Sequence, residues 1–124
     1  MPALLIASFC PTAQAETGAK FFHSPSGNIM CEINYQRGDG SPDSAYCVSV
    51  EPPQNVSVNS AGVPTVCAGV SCLSNGPTDA FTLGYGQTTG LGPFTCSSEV
   101  GGMTCTVGSG RGFMISRSGI TTVG

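Results

Sequence analysis

In the stretch FTCSSEVGGMTCTV, Cys96 and Cys105 stand at equal distances on either side of Val100-Gly101. A tight turn at that dipeptide sets the two cysteines opposite one another on neighbouring antiparallel strands. Opposed Cα atoms there come within about 4.5 to 5.5 Å, a spacing that a disulfide bridges. This symmetry makes a cross-linked hairpin the expected arrangement, although six cysteines allow 15 connectivities in all. Cys31, Cys47, Cys67 and Cys72 complete an even set of six. Sequential pairing is expected: Cys31 with Cys47, Cys67 with Cys72 across the short loop CAGVSC, and Cys96 with Cys105. A metal site is not expected, because there is no CxxC and His23 is the only histidine.

Disulfides need an oxidising compartment. The N-terminal residues MPALLIASFCPTAQAE run from an apolar stretch into Ala13-Gln14-Ala15, a small-x-small site of the kind signal peptidase cuts. Residues 1–15 are therefore expected to be a cleaved signal peptide and residues 16–124 a single disulfide-rich β domain, secreted or held in the cell envelope. The apolar run is shorter than the roughly 20 residues that span a bilayer, and no later segment approaches that length. No transmembrane segment is expected. Cleavage removes the seventh cysteine, Cys10; the alternative of a lipid-modified Cys10 is disfavoured by Phe9, where a small side chain belongs.

The remaining composition agrees with β-structure. Glycine, proline, serine and threonine abound, and no window carries apolar positions at helical spacing. GNIMCEINY alternates, with Ile29, Cys31, Ile33 and Tyr35 on one face and Met30, Glu32 and Asn34 on the other. NVSV (55–58), MTCTV (103–107) and FMIS (113–116) repeat the alternation, and RGDGSPDS, SNGPTD, GYGQTTGLGP and SRSG between strands are turn-forming. The expected fold is all-β: a small antiparallel β-barrel or curled sheet of roughly six to eight short strands, stapled by disulfides. A faint internal echo links FHSPSGNIMCEI with FTCSSEVGGMTCTV.

Chemistry-bearing residues are scarce. Seven carboxylates and one histidine argue against an enzyme. A hydrolase would have to use His23 as its base with a hydroxyl nearby in space, and FFHSPSG contains no G-x-S-x-G elbow. Asp39 and Asp43 read as a solvated turn and not as calcium ligands, for want of a further carboxylate at a fixed offset. The RGD at 37–39 is too short to carry weight. NVS at Asn55 matches a glycosylation acceptor, of consequence only in a glycosylating pathway. No cofactor is expected. Four cations at a formal net charge of -3 leave no basic face for nucleic acid.

Two of those cations lie within GSGRGFMISRSG, where Arg111, Phe113, Ile115 and Arg117 share one strand face. Either this is a core strand whose arginines carry their charge into water, or it is a binding edge. In the second case Gly108, Gly110 and Gly112 would admit a partner's backbone, and the arginines would hold its carboxylates or phosphates.

Taken in order, FHSPSGNIMCEI, the cysteine that follows, GPFTCSSEVGGMTC and SGRGFMISRSGI resemble a family of small secreted actinobacterial proteins, common in mycobacteria, whose domain has no assigned function. The resemblance implies export and carries over no catalytic residues. SGRGFMISRSG is also distantly similar to the arrangement in membrane-associated inhibitors of c-type lysozyme, which would make Ser109 and Arg117 the candidate contacts. The expectation is thus an exported, non-catalytic β domain that binds an unknown protein or envelope component through Ser109, Arg111 and Arg117. An inhibitor of a secreted hydrolase such as lysozyme, and a small hydrolase using His23, are the alternatives.

Overall fold

The computed structural model describes residues 17–74, 76 and 79–124. The expected signal peptide and Cys10 lie outside the described residues.

Among the described residues, eleven strands form two sheets, one of six strands and one of five. The first sheet is a meander of β1 (Gly18–His23), β2 (Ile29–Tyr35), β3 (Ser44–Ser49), β4 (Gln54–Val58) and β5 (Pro64–Ala68). It is completed by the two-residue β6 (Phe81–Thr82), which lies parallel to β1, giving the order β5-β4-β3-β2-β1-β6. The second meander comprises β7 (Thr88–Leu91), β8 (Phe94–Glu99), β9 (Gly102–Thr106), β10 (Gly112–Ser116) and β11 (Gly119–Val123), in the order β11-β10-β9-β8-β7. The one helical element among the described residues is a single 3-10 turn at Val70–Cys72.

Neither sheet closes or curls into a barrel, which corrects the architecture expected from the sequence. Among the described residues β7 pairs only with β8, and β11 only with β10, so no ladder there joins the sheets. The physical reason lies in the alternation itself. Each sheet buries one face, and two such faces satisfy each other by stacking, without the shared hydrogen bonds that closure requires. From the first sheet Phe22, Ile33, Val56 and Val58 point inward, and from the second Phe94, Met103, Phe113 and Ile115; all eight are fully buried in one core cluster.

The cysteines sit at its centre. Register places Cys31 opposite Cys47 and Cys96 opposite Cys105, and both pairs are bonded, with Cα separations of 4.1 and 4.0 Å. The turn at Val100-Gly101 joins β8 to β9 between the paired residues Glu99 and Gly102. The two bridges meet across the sheet interface, where Cys47 Sγ lies 3.7 Å from Cys105 Sγ. The third bridge, Cys67–Cys72, stands outside the core cluster. It fastens the 3-10 turn to the edge strand β5, and Asn55 Nδ2 donates to the Cys72 carbonyl oxygen at 2.8 Å. Just after the 3-10 turn, Ser74 Oγ lies 3.0 Å from Tyr46 Oη on the outer face of the first sheet.

Candidate functional site

With the inner faces committed to packing, polar chemistry is left to the outer faces, the strand edges and the turns at the ends of the sheets. At one end the turn after β1 (residues 24–28), the β8–β9 turn (99–102) and the β10–β11 turn (116–118) converge with Tyr85. They enclose a cleft of about 380 Å³. Its wall combines the Arg117 guanidinium, the Glu99 carboxylate, the half-exposed Tyr85 ring and the serine hydroxyls of the first and third turns. Val100 stands 82% exposed on the rim, the most exposed large apolar side chain among the described residues. Arg117 makes no ion pair among the described residues, although Glu99 lines the same cleft. The turn that carries Arg117 is held from the opposite sheet, since Gln54 Nε2 donates to the Ser116 carbonyl oxygen at 2.9 Å.

The stretch that the sequence singled out is divided by the fold. β10 runs from Gly112 to Ser116, so Arg111 precedes it and Arg117 follows it, about 20 Å apart at ~3.3 Å per residue. Ser109 lies with Arg111 in the β9–β10 turn, at the end opposite the cleft. Arg117 is thus brought together with Ser118, Glu99 and Tyr85, and not with Ser109 or Arg111. Both neighbours of β10 are present, so it is an interior strand and offers no open edge. The glycines also separate in role. A Cβ on Gly112 would overlap the Cys105 carbonyl oxygen of β9, whereas one on Gly108 or Gly110 would meet nothing within 4 Å. Gly112 therefore serves the internal approach of β10 to β9.

His23 is half-buried beside the parallel β1–β6 pair. Its Nδ1 donates to the Ser24 carbonyl oxygen at 2.8 Å, since a carbonyl can only accept. That leaves Nε2 to accept from the Thr82 hydroxyl at 3.3 Å. A hydroxyl and an imidazole are therefore in reach of each other. The orienting group is a neutral carbonyl in place of a carboxylate, and neither residue lines the end cleft or the groove of about 370 Å³ beside Met30, Val48 and Leu73.

Asp39 Oδ1 accepts from the Ser41 N–H at 2.9 Å, and Asp43 Oδ1 from the Gln36 N–H at 2.8 Å. Each carboxylate thereby caps its own loop. The Ser41 backbone hydrogen bond, assisted by the Ser41 side chain and by Arg37 at 3.4 Å, holds the Asp39 carboxyl below its ordinary value. A cluster of Cys31, Cys47 and Cys105 sulfurs lies within 4.8 Å of one another, and all three are already committed to disulfides.

Sequence reading singled out neither Tyr85 nor Glu99. Both sit in turn-rich segments, and the only local sign was Val100, an apolar residue at the tip of a turn. Comparison with protein-family models, with curated proteins and with solved structures finds no match.

Proposed function

We propose that this chain is an exported, non-catalytic binding domain whose recognition surface is the end cleft, with Arg117 as the anchor for a carboxylate-bearing partner in the envelope or outside the cell. The observation that carries the reading is Arg117, a cation with no counter-ion among the described residues, lining a cleft together with serines and an exposed tyrosine. A planar guanidinium pairs with a carboxylate through two parallel hydrogen bonds. The Tyr85 ring and Val100 supply apolar contact, and the serine hydroxyls and Glu99 select groups that donate or accept around that anchor. Three buried or tethered disulfides support the export half of the reading, because such bonds persist where thiols are oxidised.

Titration of isotopically labelled protein with a glucuronate-containing oligosaccharide and with its neutral glucose counterpart tests the cleft. Shifts confined to residues 24–28, 85, 99–102 and 116–118, with a preference for the acid that Arg117→Ala removes, are the expected result. Shifts centred on residues 108–111, or an acid preference that survives Arg117→Ala, would refute it. Export is tested by the intact mass from the native host, expected to begin at Glu16 with six cysteines that react only after reduction.

A second reading, inhibition of a secreted hydrolase, draws on Arg117 and Ser118 lying exposed at the tip of the β10–β11 hairpin, a shape suited to insertion into an acidic cleft. With Ser109 at the far end of the domain, Arg117 alone would carry that contact.

A further inference from the structure

Two open sheets have four edge strands, and an edge presents unpaired N–H and C=O groups that pair readily with another chain unless something blunts it. Three of the four are blunted. β6 is only two residues long. On β5, the Asn59 N–H donates to the Val63 carbonyl oxygen. Alternation from there turns the main-chain groups of Pro64, Val66 and Ala68 outward, so a residue without an N–H occupies one of the open positions. On β7, the Ser98 N–H donates to the Gln87 carbonyl oxygen, which by the same alternation turns Gly90 outward. The Gly90 carbonyl oxygen is then taken by Lys20 Nζ, reaching from the other sheet at 2.7 Å.

β11 has none of these devices. The Val107 N–H donates to the Arg111 carbonyl oxygen, so on β10 residues 113 and 115 face β9 while 112, 114 and 116 face β11. Their partners Val123, Thr121 and Gly119 complete that ladder, and Ile120 and Thr122 turn both N–H and C=O to the open side. The strand GITTV contains no proline and no charge, and the described residues supply no cover for it.

We propose that β11 pairs with β11 of a second copy of this chain, antiparallel about a two-fold axis at Thr121, joining two five-stranded sheets into one of ten. The outward residues specify this register. Because Ile120 and Thr122 are placed symmetrically about Thr121, the two-fold arrangement sets Ile120 of each copy against Thr122 of the other and satisfies all four outward groups on each strand. Thr121 then faces Thr121 of the second copy on the outer face, a favourable cross-strand pair. No charges oppose one another along the strand. A two-fold contact of this kind is self-complementary and closes, so the assembly stops at two. One short strand pair buries less than the roughly 1,600 Å² of a standard interface, so the dimer is weak and reversible.

Sedimentation velocity over about 10 µM to about 1 mM covers the range expected for such a contact. Wild type is expected to associate across it. Thr121→Lys, at an exposed side chain, opposes like charges on the axis and is expected to weaken association about fivefold. Thr121→Glu does the same, and an equimolar mixture of the two variants associates at least as well as wild type. Amide exchange at Ile120 and Thr122 is expected to slow as concentration rises. Recovery in the mixture establishes that both variants are folded and that residue 121 lies on the axis. Four results would overturn the proposal: wild type monomeric throughout, Thr121→Lys associating like wild type, a mixture that fails to recover, or protection at Ile120 and Thr122 already complete in the monomer, which would mean that the chain covers its own edge.

Discussion

Removing the disulfides one at a time, as paired cysteine-to-alanine variants, should cost stability in the order Cys31–Cys47, then Cys96–Cys105, then Cys67–Cys72. The bridges span 16, 9 and 5 residues. Loop-closure entropy for loops of those lengths gives about 3.1, 2.6 and 2.1 kcal/mol at 25 °C. Burial widens the gap. The four core cysteines are 0 to 2% exposed and packed against one another at the 3.7 Å contact between Cys47 and Cys105, so their loss also removes packing from both sheets. Cys67 is exposed on an edge strand, and Cys72, although buried, lies outside the core cluster, so losing this pair takes no packing from the contact between the sheets.

The three entropy contributions together come to about 8 kcal/mol, within the range of about 5 to 15 kcal/mol that is the whole net stability of a typical domain. Full reduction should therefore unfold the protein or bring it to the edge of unfolding. The assay is chemical denaturation of each double-alanine variant, with stabilities compared as free energies extrapolated to water, because removing a crosslink expands the unfolded state and raises the m-value. The reasoning fails if the Cys67/Cys72 variant loses as much as the Cys31/Cys47 variant. It also fails if reduced wild type still melts cooperatively at an unchanged temperature.

Three further outcomes follow from particular side chains. Gly112→Ala should destabilise by about 2 kcal/mol or more, since its Cβ would overlap the Cys105 carbonyl oxygen, while Gly108→Ala should stay within about 0.5 kcal/mol; denaturant midpoints separate them. Arg111→Ala and Arg117→Ala should each leave the melting temperature unchanged, both side chains being exposed, and only Arg117→Ala should alter binding at the cleft. The Asp39 carboxyl is lowered, so whatever order its hydrogen bond lends the 37–41 loop is complete above the ordinary aspartate value and is lost as pH falls through the lower folded value. The Ser41 amide shift, followed by NMR, should titrate with a midpoint below that of an unperturbed aspartate.

Local alternation made the strands legible. Ile29, Cys31 and Ile33 are buried as the pattern GNIMCEINY requires, and the symmetry of Cys96 and Cys105 about Val100-Gly101 located a hairpin and its bridge together. Closure was not legible, because a period of two states that a strand has an inner face and leaves open what covers it. A curled sheet and two stacked sheets satisfy the same alternation. The strand count was underestimated at β5, β6 and β7, where exposed or very short strands carry little apolar signal. The cleft was half legible. Arg117 was visible as a rare cation in a turn, but its grouping with Tyr85 and Glu99 depends on three turns meeting at one end of the domain.

The cleft and the β11 edge both involve the β10–β11 hairpin, yet their geometries make them separable. The cleft takes the turn at 116–118, at one end of the strands, whereas the pairing surface is the side of β11 between Ile120 and Thr122. In an antiparallel two-fold arrangement the two turns point to opposite ends of the joined sheet, so neither cleft is covered and each dimer displays two. Arg117→Ala should therefore leave the concentration dependence of sedimentation unchanged, and Thr121→Lys should leave the cleft's ligand-induced shifts in place while reducing avidity for a multivalent acidic polymer. If either variant abolished both properties, the hairpin would be acting as one surface, and the assignment of recognition to the end cleft and of self-pairing to the edge would fail together.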